Sequence, residues 1–482
     1  MKKCIALALL AAMMLASCAS TDIGEQPSDA GTVPSAEPTA EETETPETTY
    51  LDTIEKKTFG GADFRMIGID DDSTINFSDG ETTGEAINDA IYKRDLLIQE
   101  TCDVAVSTTS YAIGQDDAMA SDIQNLILAG DTQYSMIVGP IHNVLVNSTA
   151  SGLLYDIASL PTIDMTNPWW STYANTNLKI AGKLFFTTGD ICPMYYNTPY
   201  IMCYNMRLAD DYGVDMYELV MNGQWTLDKL AEFNETFTVD LDGDGAITPE
   251  DQIAYTHVRT GIVSNSHYIA CGQTLNTIDA DGKIVVDLGS EASVNAVDKL
   301  QIIFTDLADN YFSMEQATPM FTAGKAFLFG NSMATAVGNF RDMEDNFGFL
   351  PLPKYNEEQE NYYTSVNTWT RGYIGVPKTI ADPDMTGYVM ELMAYFGNQE
   401  VRPMAYDAML YSKMARTEES VDMLNLIYKG IYIDINYVID FGGSNSTIME
   451  AVMNGSPFAS TYASKVKVIS KMIDAYEKKF QD

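Results

Sequence analysis

The chain reads as an α/β protein with two lobes. Apolar strand-like runs alternate with amphipathic helical periods from Phe64 onward, and the series restarts near Lys183. Once the N-terminal segment is set aside, about 430 residues remain, more than one core usually serves. The opening order is strand, helix, strand, helix, strand. Phe64 to Ile69 is a short apolar strand. Thr82 and Glu85 have capping-box spacing, and Ile87, Ala90, Ile91, Leu97 and Ile98 then mark one helix face. Asp103 to Ser107 is a second strand, and Ile123, Leu126, Ile127 and Leu128 belong to a helix stopped at Gly130. Tyr134 to Val138 is a third strand, ended by Gly139 and Pro140. That order predicts a mostly parallel sheet covered by helices, whose ligands bind outside the carboxyl ends of the strands. The rule directs attention to Asp70 to Asp72 after the first strand and to Gly139 to Asn143 after the third, with Asp70, Asp71 and His142 as the candidate contacts.

The second series contains Lys183 to Thr187, Tyr200 to Tyr204, a helix from Leu227 to Phe237, and strands near Lys283 to Val286 and Ala326 to Phe329. Phe347 to Leu350 and Tyr373 to Val376 follow. The last hundred residues are mostly helical by period, with Leu392, Phe396, Met423, Leu424, Ile427, Ile448 and Val452 on apolar faces.

The N-terminus has its own chemistry. Lys2 and Lys3 precede an apolar run from Cys4 to Leu15, too short to span a bilayer, which takes about 20 residues. This is the pattern of a secretory signal. It ends in Leu15-Ala16-Ser17-Cys18, which resembles the lipobox of bacterial lipoproteins. The resemblance implies cleavage before Cys18 and acylation of its thiol, a durable anchor at about 0.8 kcal/mol per buried methylene. From Ala19 to Thr49 the chain is rich in Thr, Pro, Ser and Ala, with eight acidic residues and no Lys or Arg. Such a segment cannot bury enough apolar surface to offset the entropy of ordering, so it reads as a self-repelling tether. The expected division is signal 1–17, tether 18–55, a first lobe over 56–190 with about 345–400, and a second over 191–345 with about 401–482.

Composition narrows the partners. The formal net charge of −40 would repel a phosphate backbone, so nucleic acid is a poor partner. Cys102, Cys192, Cys203 and Cys271 show no paired zinc-type spacing and read as buried free thiols. Three histidines in the chain, none in a metal-ligand spacing, together with the lack of a nucleophile elbow or P-loop, argue against an enzyme. Paired carboxylates keep a surface lipoprotein enzyme acting on glycans as one alternative, and a non-transport glycan or peptide sensor that passes its closed state to a membrane kinase is another.

The sharpest local motif runs from Asp240 to Asp251. Calcium takes six to eight hard oxygens, and a 12-residue loop supplies them from positions 1, 3, 5, 7, 9 and 12. Those positions hold Asp240, Asp242, Asp244, the Ala246 carbonyl, Thr248 and Asp251, with Gly245 at the sharp turn. Ile247 would anchor the loop to the core. The closing Asp in place of Glu resembles the calcium loops of dockerins. A structural calcium ion is the cofactor expected.

A series of segments carries a wider resemblance. Gly84 to Val106, Ala129-Gly130-Asp131, Leu154-Tyr155-Asp156-Ile157, Asn167-Pro168-Trp169-Trp170, Cys203-Tyr204-Asn205 and Gly223-Gln224-Trp225-Thr226 occur in that order. Phe321 to Gly330, Gly348 to Lys354 and Gly375-Val376-Pro377-Lys378 continue it. Together they resemble family 1 extracellular solute-binding proteins in their clostridial form, the receptors of carbohydrate ABC importers. The resemblance implies a two-lobed periplasmic-binding-protein-like fold with hinge strands, a solute held between the lobes, permease subunits as partners, and a monomer outside the cytoplasm. Sugar rings stack on aromatic faces while carboxylates and amides take their hydroxyls. The candidate contacts are therefore Asp190, Tyr195 and Tyr196 at the crossing, Trp369 and Arg371 beside the returning strand, and Asn331 and Ser332 after the strand at Ala326. Asn265 joins them from the weakly matched stretch 264–280. Trp169, Trp170 and Trp225 stand at helix starts and read as packing residues, and Tyr204 with Asn205 as hinge structure.

Overall fold

The computed structural model describes residues 49–70, 75–307, 313–340, 342–411 and 418–481. Cys18, the signal segment, most of the tether and Asp71 lie outside the described residues. The chain divides into two compact units, 1–56 and 57–482. In the first, Tyr50–Asp52 forms one 3-10 turn, closed by reciprocal bonds between Thr49 and Asp52.

The larger unit carries eleven strands among its described residues: β1 (Ala62–Ile69), β2 (Val104–Tyr111), β3 (Met136–Gly139), β4 (Phe186–Thr187), β5 (Tyr200–Asn205), β6 (Ile253–Thr256), β7 (Thr277–Ile278), β8 (Ile284–Val285), β9 (Ala326–Ser332), β10 (Phe347–Leu350) and β11 (Tyr373–Gly375). They form one sheet of order β2-β1-β3-β11-β4, a second of order β10-β5-β9-β6, and the small hairpin β7-β8. This is the predicted two-lobed α/β architecture. The first three strands are parallel, as their intervening helices require. β11 arrives from late in the chain and inserts antiparallel between β3 and β4. The second sheet is mainly antiparallel, with only β6 and β9 parallel.

The first helix, Ala86–Cys102, begins later than the Thr82–Glu85 spacing predicts. The Asp89 carboxylate reaches back to accept the N–H groups of Thr83 and Gly84, so a side chain inside the helix holds the entry and Thr82 does not cap it. Tyr204 and Asn205 also correct an expectation. They end β5, and the Asn205 side chain accepts from Leu208 N at 3.0 Å to cap helix Met206–Tyr212, so they are not hinge structure.

The lobes are joined where β4 leads to β5 and where β10 leads back to β11. The two crossings hydrogen-bond to each other, Tyr200 N to Ser365 O and Asn367 N to Thr198 O, both at 2.8 Å. Gly372 is small because a Cβ there would meet Thr198 Cγ2 at 2.7 Å and the Met194 carbonyl at 2.9 Å. A third connection is helical. Pro383–Phe396 packs on the first lobe against Ala86–Cys102, while Ala405, Leu424 and Ile427 share a core with Ile201, Cys203, Phe329 and Phe347 of the second sheet. Because β1, β3 and β4 run the same way and β11 the opposite way, one edge of the first sheet gathers Asp70, His142, Asp190 and Arg371. All four body cysteines are buried and free.

Candidate functional site

At that edge the structure separates the predicted residues into two places. The first is built around Trp369. Its indole is 43% exposed, whereas Trp169, Trp170 and Trp225 are each 6% exposed or less. Trp369 lies against the His142 imidazole with ring centroids 4.0 Å apart and planes 28° apart, and His142 N donates to Thr368 O at 3.1 Å. Burial holds the His142 pKa below its ordinary value, so the ring behind the indole is neutral near pH 7. Beside it, Arg371 forks onto Asp116 through Nε (3.2 Å) and Nη2 (2.8 Å), at the first turn of helix Asp116–Leu128. Asp70 accepts from Asn76 N at 2.6 Å and Phe77 N at 3.3 Å, and the Asn76 amide bonds the carbonyls of Ile69 and Arg371. Asp70 therefore folds the loop after β1 and ties it to the start of β11.

Across the crossing, Asn331 and Ser332 end β9 and pair with Ile201 and Tyr200. Ser332 is buried; its N–H bonds the Asn331 side chain at 2.7 Å and its hydroxyl meets Thr335 Oγ1 at 3.2 Å. Asn265 lies on helix Gly261–Ala270 with its side-chain oxygen buried and without a hydrogen-bond partner among the described residues.

The second place is a cavity of about 500 Å³ that takes Asp190, Tyr195 and Tyr196 and none of the other candidates. Asp190 N donates to the Trp169 carbonyl at 2.9 Å and Ser171 N to the Thr188 carbonyl at 3.0 Å; these bonds tie the Trp169–Ser171 segment to the end of β4 and set helix Thr172–Asn177 on the rim. Asp190 is 5% exposed. Its Oδ1 accepts the Tyr196 hydroxyl and its Oδ2 the Asn398 amide at 2.6 Å, with Arg402 Nη1 at 3.7 Å. Burial pushes its carboxyl up, against these bonds. Tyr195 stacks on Tyr173 at 6.4 Å, and Arg402 lies over the Tyr406 ring at 5.5 Å. Sequence reading missed Arg402, Tyr406, Tyr428 and Lys429, which reach the cavity from helices some two hundred residues later. Trp169 and Trp170 do pack at a helix start, and both indoles donate to Glu391, at 2.8 and 3.0 Å. Trp225 is fully buried and donates to the Pro351 carbonyl at 2.9 Å.

The acidic loop follows helix Leu227–Phe237. One carboxylate oxygen from each of Asp240, Asp242 and Asp244 lies within 4.8 Å of the others. The N–H groups of Gly245 and Gly243 hold the Asp240 carboxyl below its ordinary value. Asp251 turns both oxygens to the loop, Oδ1 to Leu241 N and Oδ2 to Thr248 N and Oγ1, all within 2.9 Å. Ile247 packs on the core of the second lobe.

No family model and no curated protein sequence matches the chain. Solved structures do match in fold. A cyclo/maltodextrin-binding protein complexed with maltotetraose superposes with a TM-score of 0.59 at 14% identity, covering 86% of this chain and 99% of that one. An ABC substrate-binding protein from Listeria monocytogenes in complex with cycloalternan gives 0.52 at 14% identity, over 87% and 99%. The maltose/maltodextrin-binding domain from Bdellovibrio bacteriovorus bound to maltotriose gives 0.52 at 13%, over 87% and 100%. The chain thus has the two-lobed fold of these binding proteins, over nearly their whole length. No helix of the described residues is long and apolar enough to cross a membrane.

Proposed function

We propose that the chain is the extracytoplasmic solute receptor of a carbohydrate ABC importer, anchored through Cys18 and closing its lobes on a sugar or oligosaccharide. One observation carries the reading: the one exposed tryptophan, Trp369, lies flat on the His142 ring at the carboxyl edge of the first sheet, in a fold shared with oligosaccharide-binding proteins. An indole fixed in this way offers a sugar face a stacking surface with little rotamer entropy left to lose. Arg371, two residues along the chain from Trp369 and locked by Asp116, supplies a fixed polar group, and Asn331 at the end of β9 would add one from the second sheet. Hinge closure needs contacts from both lobes, which Trp369 and Asn331 would supply from one each.

The experiment is calorimetric titration with a panel of maltodextrins and other neutral oligosaccharides. Binding by the intact chain and its loss in Trp369→Ala support the reading; a chain that binds none of them, or that releases cleaved product, overturns it in favour of a glycan-acting enzyme. The anchor is tested separately: Cys18→Ala should leave the protein in the soluble fraction after a high-salt wash. We further assign the Asp240–Asp251 loop to a structural calcium ion. Its support is the ligand spacing and the convergence of Asp240, Asp242 and Asp244; Ala246, Thr248 and Asp251 would complete the set, with Asp251 also holding the loop through Leu241 N and Thr248 N.

A further inference from the structure

The Trp369 platform leaves the Asp190 cavity unexplained, although its volume of about 500 Å³ is that of a small-molecule site. Its walls are aromatic, with Tyr195 and Tyr406 among the rings, and Thr172, Thr176 and Asn177 add small polar groups. Its charges decide what it suits. Asp190 is the one acidic side chain of the lining, and Tyr196 and Asn398 already hold its two oxygens. Arg402 and Lys429 are the two cations. Arg402 stands 3.7 Å from Asp190 with its side chain 44% exposed, and Lys429 makes no ion pair among the described residues. The cavity thus has an occupied carboxylate within and two exposed cations on its lining, a surplus of positive charge in a chain of net −40. At physiological salt the Debye length is about 8 Å, so the remote acidic surface is screened from this pocket while the lining cations are not.

We propose that this cavity is a binding site for a carboxylated carbohydrate, of the uronic acid class, separate from the platform at Trp369. The sugar face lies on the tyrosine rings, and its carboxylate takes the guanidinium of Arg402 and the ammonium of Lys429. An uncharged sugar of the same shape can use the rings but gives Arg402 nothing beyond its 3.7 Å contact with Asp190 and gives Lys429 no anion. Charge-assisted bonds to Arg set that difference at about tenfold or more in affinity.

The probes are digalacturonate and the uncharged galactose disaccharide of the same linkage, each titrated calorimetrically into the full chain. The expected result is a preference of at least about tenfold for the uronide. Lys429→Gln, at an exposed position, should reduce that preference, and Arg402→Gln should remove most of it, both with the melting temperature unchanged. Trp369→Ala should leave the uronide affinity intact, so failure of this site and failure of the platform reading are told apart. Equal affinity for both disaccharides, no heat with either, or a preference that survives in the Arg402→Gln, Lys429→Gln double variant overturns the proposal. Loss of uronide binding in Trp369→Ala overturns it as well, since the anion would then sit at the platform.

Discussion

In the first lobe Glu391 is fully buried and accepts from four donors, the indoles of Trp169 and Trp170, the Asn167 amide and Asp164 N. In the second lobe His257 and His267 are buried to the same degree, but what surrounds them is Tyr255 and Phe304. His267 Nδ1 meets the Val263 carbonyl at 2.8 Å. One lobe encloses an acid in donors, and the other encloses bases that must remain uncharged. The lesson is that equal burial gives opposite vulnerabilities. Removing a partner harms the first lobe, and adding a proton harms the second.

The largest effect is expected from Glu391→Ala. It strands two indole N–H groups and an amide in the interior, which costs about 3–5 kcal/mol by analogy with broken buried polar networks. Glu391→Gln keeps one acceptor and should cost less. Urea unfolding checks both, and an unchanged midpoint for the alanine variant would dissolve the contrast.

Acid should act on the other lobe. Burial, and for His257 also the neighbouring His267, pushes the folded pKa values down to about 3 for His257 and about 4 for His267. The unfolded histidines take up protons below about 6.5 and the folded ones do not. Stability present above pH 6.5 is therefore lost as pH falls towards 4, by roughly 2 kcal/mol for each histidine at pH 5. Asp434 works with the opposite sign. Burial pushes it up to about 6 despite three backbone donors, so protonating it returns part of that loss between pH 6 and 4. Melting temperatures from pH 7.5 to 5 should fall, and a His257→Asn, His267→Asn variant should flatten the profile. A wild-type profile already flat over that range would mean the pair is protonated in the folded state.

Calcium sharpens the comparison at the surface of the second lobe, where three carboxylates converge. At ten times its dissociation constant the ion should add about 1.4 kcal/mol of stability. Asp244→Ala should abolish the shift on chelation. Identical melting curves with and without chelator return the loop to an acidic turn. The smallest effect on stability is expected from Trp369→Ala, within about 0.5 kcal/mol. Its cost should appear in sugar binding, at about 1 kcal/mol or more. A melting temperature that falls in step with affinity would make Trp369 a packing residue.

The two lobes also differ in how far they can be read from sequence. The first three strands and their helices follow one another in the chain, so local periodicity suffices. The second sheet joins β5, β9 and β10 over more than a hundred residues, and its four-residue β6 follows an acidic loop with no alternation to mark it. Helix Leu227–Phe237 was legible to the residue because Thr226 caps it and its apolar side is regular. The site was legible only in part. Rules on strand ends and crossings found Trp369, His142 and Asp190, but not that an edge and a cavity divide them. Nothing local links Arg402 or Lys429 to Asp190, since only the packing of late helices on both lobes brings them together.

The placement of the tryptophans makes the protein its own optical probe. Three indoles are buried with their N–H groups engaged, by Glu391 or the Pro351 carbonyl, and the fourth faces solvent against the His142 ring. The long-wavelength edge of the emission should therefore belong to Trp369 alone, and iodide should extinguish that edge first. A sugar lying on the ring would shield it from the quencher and shift its emission to the blue, while Trp225, far from either site's lining, continues to emit as a reference. Occupancy of the platform is thus readable in one cuvette, without a label and without knowing the ligand beforehand.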